Sequence, residues 1–159
     1  DKLKTLGTKD MLTGVMNRNA MNNRVDQLHS GKGIEECSIG VVFADLNGLK
    51  TVNDLEGHQA GDLMLKNAAM ALQNVFIGCE IYRAGGDEFT IIVSGVKETD
   101  LMKMVDSIRQ AAERHDVSFA VGASFEADRR NIKDALRIAD ERMYDDKKLY
   151  YEMHPEKKR

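Results

Sequence analysis

The chain has little that would mark a nucleic-acid, disulfide or membrane protein. Basic side chains are not in excess: 23 Lys and Arg stand against 26 Asp and Glu, for a net charge of −3. Binding along a phosphate backbone needs a basic face, so no nucleic-acid partner is expected, although a small basic pocket remains open. There are only two cysteines, Cys37 and Cys79, with no CxxC spacing and no His/Cys cluster nearby. Both read as free, buried thiols of a reducing compartment. No run reaches the roughly 18 apolar residues of a membrane span, and the N-terminus has no signal-peptide pattern. A cytoplasmic domain without membrane contact of its own is therefore expected. The single proline, Pro155, lies in a charged stretch, "HPEKKR", that reads as a frayed tail. There is no internal repeat and no low-complexity segment.

What is present suits one globular domain. A chain of 159 residues buries about 70% of the surface its unfolded form exposes, enough for a core without staples. The opening "DKLKTLGTKD" reads as the tail of a charged helix, so the chain is expected to be a piece of a longer protein. The expected division is a linker or signalling helix ending within 1–10, a globular domain over 11–152 and a charged tail over 153–159.

Short apolar, β-branched runs predict four strands: "SIGVVFADL" (38–46), "EIYRA" (80–84), "EFTIIVS" (88–94) and "VSFAVGASF" (117–125). The second and third flank Gly85-Gly86 and read as a hairpin. The 3.6 period predicts helices over about 16–30, 58–77, 99–114 and 131–148. Their apolar faces include Leu65, Ala69, Leu72 and Phe76, then Leu101, Val105, Ile108 and Ala112, then Ile132, Ala135, Leu136, Ala139 and Met143. Thr99 is expected to cap the third helix, and Asn131 or Asp128 the last. The hairpin requires an antiparallel pair, so the expected class is α+β, a sheet with helices packed on it. The nine methionines read mostly as core fillers. His29, His115 and His154 read as surface residues without convergent partners.

Two stretches carry chemistry. In "VVFADLNGLKTVNDLEGHQAGD" (41–62) a buried strand runs into Asp45, followed by Asn47, Lys50, Asn53, Asp54, His58 and Asp62. Taken singly, these read as a strand end, a solvated loop and a helix start. In "IYRAGGDEFTIIVSG" (81–95) Asp87 and Glu88 stand at the hairpin tip. If the hairpin pairs beside the first strand, the acids converge at one edge of the sheet. Like charges about 4 Å apart repel by about 4 kcal/mol at an effective dielectric near 20, so such a group needs a cation or a shared proton. All-oxygen ligands suit Mg²⁺ held together with substrate phosphates. Lys50 could then offset phosphate charge, and the bare backbone of Gly85 and Gly86 would admit a nucleotide. A type I′ or II′ turn explains the glycine pair equally well.

"RAGGDEF" (83–89), "DMLTGVMNR" (10–18), "ADLNGLKTVNDLEGHQAGD" (44–62) and "ADERMYDDK" (139–147) together resemble the GGDEF family of diguanylate cyclases. The resemblance implies a ferredoxin-like palm of the nucleotidyl cyclase type, with a central, mostly antiparallel sheet and flanking helices. It implies an enzyme that joins two GTP into the bacterial second messenger cyclic di-GMP, releases two pyrophosphates and acts as a homodimer. The domain would be the output end of a protein with an N-terminal sensory domain. Mg²⁺ or Mn²⁺ would be held by Asp45, Asp87 and the backbone carbonyl of Leu46. Asp87 or Glu88 would activate the ribose 3′-hydroxyl, with Asp87 preferred. Lys50 would stabilise the triphosphate and Lys147 would contact its terminal phosphates. Asn53 and Asp62 would read the guanine edge, since a carboxylate accepts from N1–H and N2–H₂. His58 would sit near the base or ribose, unless it is only a helix-start residue.

The chain departs from the family pattern at Asn47, where Asp is frequent, and at Leu49, where Phe is. It departs again at Asp146, where Ala is usual, and at Tyr151, where an Arg often contacts phosphate; Lys148 could substitute for that contact. Phe76 and Cys79 occupy the positions of the family's inhibitory Arg-x-x-Asp site, so no product inhibition through it is expected. The alternative to a cyclase is a catalytically inactive module that holds GTP and regulates attached domains. The intact Gly85–Phe89 run, with Asp45, Lys50, Asn53 and Asp62, favours the enzyme.

Overall fold

The computed structural model describes residues 7–157. The reading of 1–10 as a helix tail, and the end of the C-terminal tail, fall partly outside them. Five strands form one sheet: β1 (Met16–Asn17), β2 (Ile39–Leu46), β3 (Glu80–Arg83), β4 (Glu88–Ser94) and β5 (Phe119–Glu126). Their spatial order is β1-β3-β4-β2-β5. All neighbours are antiparallel except β1 with β3. Among the described residues, five complete α-helices flank the sheet: α1 (Arg18–Ser30), α2 (Leu49–Glu56), α3 (His58–Val75), α4 (Glu98–Arg114) and α5 (Ile132–Met153). The α+β class and the mostly antiparallel sheet agree with expectation. Among the described residues, no helix is long and apolar enough to cross a membrane.

The pleat of β2 divides the core. Val42, Ala44 and Leu46 join Leu65, Leu72, Phe76, Leu101 and Ile108 on the side of α3 and α4. Ile39 and Val41 join Val25, Leu28, Ile132, Ala135 and Ala139 on the side of α1 and α5. This period-2 alternation puts Asp45, which follows Phe43 in the odd series, on the α5 side. Helix α5 lies close on β5: a Cβ at Gly122 would stand 2.1 Å from the Ala139 carbonyl oxygen.

Several local expectations need correction. Residues 49–56 form α2 rather than a solvated loop, and α3 ends at Val75. Helix α2 has no fully buried residue, and its eight residues offer only Leu49 and Val52 as a half-buried apolar face, too short to read as a helical period. The two-residue β1 is too short to leave a pattern. Lys97, not Thr99, is the N-cap of α4. Asn131 stands at the N-cap of α5 without a side-chain cap bond, and Asp128 instead caps the preceding short turn through the Arg130 N–H. Gly85 and Gly86 have no positive φ, which excludes the I′ and II′ turns. Cys37 and Cys79 are free but only half-buried. Met21 and Met143 are core residues, whereas Met11, Met70, Met102 and Met153 are exposed. His115 is half-buried against Asn74, and His29 faces the Arg130 carbonyl.

Candidate active site

The acids meet at the ends of two central strands rather than at a sheet edge. Asp45 and Glu88 are register partners across β2 and β4. The Leu46 N–H donates to the Asp87 carbonyl at 2.8 Å, which holds the turn residue beside the strand end. Asp45 is only 4% exposed. Its Oδ2 lies 3.4 Å from Lys147 Nζ on α5, and its Oδ1 is buried with no hydrogen-bond partner. Burial pushes the Asp45 carboxyl up to about 6; Lys147 opposes this, while Asp87 and Glu88 add to it. Burial works against the Lys147 ammonium, but Asp45 and Asp87 outweigh it and raise its pKa above the ordinary lysine value.

An orphaned carboxylate oxygen beside two further acids fits a divalent cation, because a buried acceptor without a donor is costly. Among the described residues no three acidic, His or Cys side chains form a closed metal cage. Two carboxylates left open to phosphate oxygens are the usual arrangement for Mg²⁺.

The Gly-Gly turn is held by two arginines, one at the end of β3 and one on α1. Arg83 donates from Nε and Nη2 to the Gly86 carbonyl at 3.1 and 2.8 Å. Its Nη1 reaches Asp10 Oδ1 at 3.1 Å. Asp10 in turn accepts from the Thr13 N–H and hydroxyl. Arg18 Nη1 donates to the Ala84 carbonyl at 2.8 Å. Two arginines thus hold the turn, which accounts for its ordinary φ values. At Gly85 a Cβ would stand 2.7 Å from Glu88 Oε1 and would displace the end of that side chain. A Cβ on Gly86 would meet nothing within 4 Å, so that backbone is open to a ligand.

Asn53 on α2 and Asp62 on α3 are brought together by Gly61. A Cβ at Gly61 would lie 1.7 Å from Asn53 Oδ1, so the amide rests on the backbone one residue before Asp62. Asn53 is half-buried, whereas Lys50, His58 and Asp62 are exposed. Lys50 stands in the first turn of α2, whose N-cap Gly48 supplies no side-chain cap bond. Asn47 is buried at 3% exposure. Its Nδ2 donates to Ser118 Oγ at 3.0 Å, and its Oδ1 has no partner. Phe76 is a core residue, and with Cys79 it lines a cavity of about 250 Å³ bounded by no charged residue.

Sequence reasoning missed Asp10, Arg18 and Arg83 as supports of the turn. The nearest signal was their place in the two motif blocks at 10–18 and 83–89. Asp146 was noted only as a departure. Its Oδ2 accepts from the Val121 N–H on the open edge of β5 at 2.8 Å.

A family model described as "Diguanylate cyclase, GGDEF domain" matches residues 8–150. A cyclic di-GMP phosphodiesterase, PdeR, of Escherichia coli is 34% identical over 109 residues, 68% of this chain and 16% of that protein. An uncharacterized membrane protein of Staphylococcus epidermidis is 26% identical over 148 residues, 85% of this chain and 42% of that protein. The chain therefore spans less than half the length of these curated relatives. Among solved structures, the coiled coil and GGDEF domain of DgcB from Caulobacter crescentus, in complex with c-di-GMP, aligns with a TM-score of 0.79 at 20% identity, covering 92% of this chain and 84% of that one. The GGDEF domain of TpbB (YfiN) from Pseudomonas aeruginosa aligns with a TM-score of 0.73 at 27% identity, covering 89% of each chain.

Proposed function

The chain belongs to the GGDEF family of diguanylate cyclase domains, and from this we propose that it binds GTP with a divalent cation and, as a pair of subunits, condenses two GTP into cyclic di-GMP and two pyrophosphates. The observation that carries this reading is the meeting of Asp45, Asp87 and Glu88 at the ends of β2 and β4, with one Asp45 oxygen buried and unpartnered. Asp45, Asp87 and the Leu46 carbonyl would hold Mg²⁺ or Mn²⁺. Such an ion, when bound, supplies electrostatic stabilisation of the charge that develops on the phosphates.

The other roles belong to the chain's own residues. The first turn of α2 follows directly on the acids and carries free N–H groups without a side-chain cap. Its dipole favours an anion there, so Lys50 and these N–H groups together suit a triphosphate. Lys147, already beside Asp45, would contact the same phosphates. The open Gly86 backbone, with Gly85, lets the nucleotide approach the turn. Asn53 and Asp62 would select guanine over adenine through N1–H and N2–H₂, with His58 beside the base or ribose. Asp87 would take the proton of the 3′-hydroxyl as that oxygen attacks the α-phosphorus of the partner's GTP and pyrophosphate leaves. Glu88→Gln tests the other candidate for that step.

Each subunit holds half of the reactants, so turnover needs a homodimer. Dimerisation would be driven by an attached N-terminal sensory domain, and the supply of GTP would place the domain in the cytoplasm. One observation favours a second reading, an inactive GTP-binding module: a relative at 34% identity is named a cyclic di-GMP phosphodiesterase. The deciding experiment incubates the domain, at high concentration or fused to a dimerising coiled coil, with GTP and Mg²⁺. Cyclic di-GMP that disappears in Asp87→Ala supports the cyclase. Mg²⁺-dependent GTP binding without product refutes it in favour of the regulatory module.

A further inference from the structure

Lys147 is held on a carboxylate that the proposed function gives to a metal. Helix α5 is gripped by three consecutive residues of β5 just before it reaches Lys147. The Ala123 carbonyl accepts from Arg142 Nη1 at 2.7 Å. Gly122 admits the helix backbone, and the Val121 N–H donates to Asp146. The helix therefore cannot slide, and the root of the Lys147 side chain is fixed. The four methylenes beyond that root can rotate. The ammonium spans to Asp45 Oδ2 alone and leaves Oδ1 bare. The pair is unequal in exposure: the Asp45 side chain is 5% exposed and that of Lys147 30%. The lysine can therefore swing toward solvent, whereas the carboxylate cannot.

We propose that Lys147 is an exchangeable counter-ion: without nucleotide it occupies Asp45 against free divalent cations, and it yields that carboxylate only when a triphosphate offers it a new anionic partner. This rests on the GTP and metal reading above. A divalent ion arriving alone must share Asp45 with an ammonium, and the two cations repel. An ion arriving with GTP brings three phosphates to which Lys147 can turn. Metal and nucleotide then bind with positive coupling, and by linkage each raises the other's affinity by the same factor. The arrangement would keep the site from loading metal in the absence of substrate.

The test is Mn²⁺ binding to the whole chain at pH 8, read by electron paramagnetic resonance. It is run with and without a GTP analogue carrying a methylene between its α and β phosphorus. Lys147→Met should bind Mn²⁺ alone about tenfold more tightly than wild type, a coupling of ordinary size. Its gain in Mn²⁺ affinity on adding the analogue should shrink correspondingly. Lys147→Arg, which keeps the cation beside Asp45, should not show the gain in binding of Mn²⁺ alone. Unchanged or weaker Mn²⁺ binding by Lys147→Met overturns the exchange. So does a wild-type chain whose Mn²⁺ affinity ignores the analogue, a result that needs no variant to fold. Absence of both Mn²⁺ and analogue binding in wild type would instead sink the underlying reading, and the exchange with it.

Discussion

Replacing Arg129 by methionine should cost the domain about 3 kcal/mol of stability. Arg129 is 2% exposed and organises the segment between α1 and β2. Its Nε donates to the Glu35 carbonyl at 2.7 Å, Nη1 to Leu28 at 3.0 Å and Nη2 to Ile34 at 2.9 Å. A longer contact reaches the Gly31 carbonyl at 3.4 Å. Methionine fills similar volume but donates nothing, so three carbonyls lose a charge-assisted bond. A stranded buried acceptor costs about 1–3 kcal/mol. The low end applies because the slimmer side chain admits water and because a buried cation no longer has to be desolvated. Three such groups give about 3 kcal/mol. For a chain of this size that is a fall in Tm of roughly 6–12 °C, measured by calorimetry. The ion pair of Arg129 Nη2 with Glu36 Oε1 at 3.2 Å adds little because Glu36 is largely solvated. A cycle with Gly31 isolates the packing. Gly31 has φ +71, and a Cβ there would stand 2.3 Å from Arg129 Nη1. Gly31→Ala should therefore cost both the left-handed strain, about 1–2 kcal/mol, and the displaced guanidinium. On the methionine background only the strain remains, so the double variant should be more stable than additivity predicts by at least about 1 kcal/mol. Strict additivity, or a loss below about 1 kcal/mol for Arg129→Met, would refute the argument.

Four further outcomes follow from the site. Asp45 holds its proton more tightly folded than unfolded, so wild type should lose stability as pH rises through the window from about 4 to about 6. Asp45→Asn, compared by urea unfolding without metal, should gain on wild type across that window; an equal difference at pH 4 and pH 8 would count against it. For Asp10, burial opposes ionisation, but the bonds from Thr13 and the Arg83 guanidinium outweigh it and leave the pKa lowered. Its contribution is present above the ordinary value near 4 and is lost as pH falls through the lower folded value, so Asp10→Asn should destabilise at pH 7 and match wild type in strong acid. Gly61→Ala places a Cβ 1.7 Å from Asn53 Oδ1. It should weaken GTP about tenfold by calorimetry, the scale of one hydrogen bond, without lowering Tm, because alanine favours helix over glycine by about 1 kcal/mol. Cyclic di-GMP should not bind the uncharged cavity beside Phe76 and Cys79, and calorimetric binding that Phe76→Ala abolishes would overturn this.

Local pattern was enough for four of the five strands and most of the helices. Strands β2 and β4 are apolar runs bounded by turn residues, and α3, α4 and α5 carry apolar stripes. Burial writes those periods directly into the order of residues. The acids, the glycines, Asn53 and Asp62 were legible as motif letters, because each proposed role demands one residue type at one place. Helix α2 was not legible, since eight residues with none fully buried give too few turns for a period to show. Nor was the turn at Gly85-Gly86: a glycine pair permits positive φ, but Arg83 and Arg18, gripping the Gly86 and Ala84 carbonyls, hold an ordinary one. The pairing of Lys147 with Asp45 joins residues 102 apart in the chain, and Arg129 reaches carbonyls more than 90 residues away. Such contacts leave no periodic trace, because they depend on which strand lies beside which and on where a helix crosses the sheet. The sequence alone determined which groups were available for chemistry, and only the tertiary structure decided which of them face one another, and so which charge neutralises which.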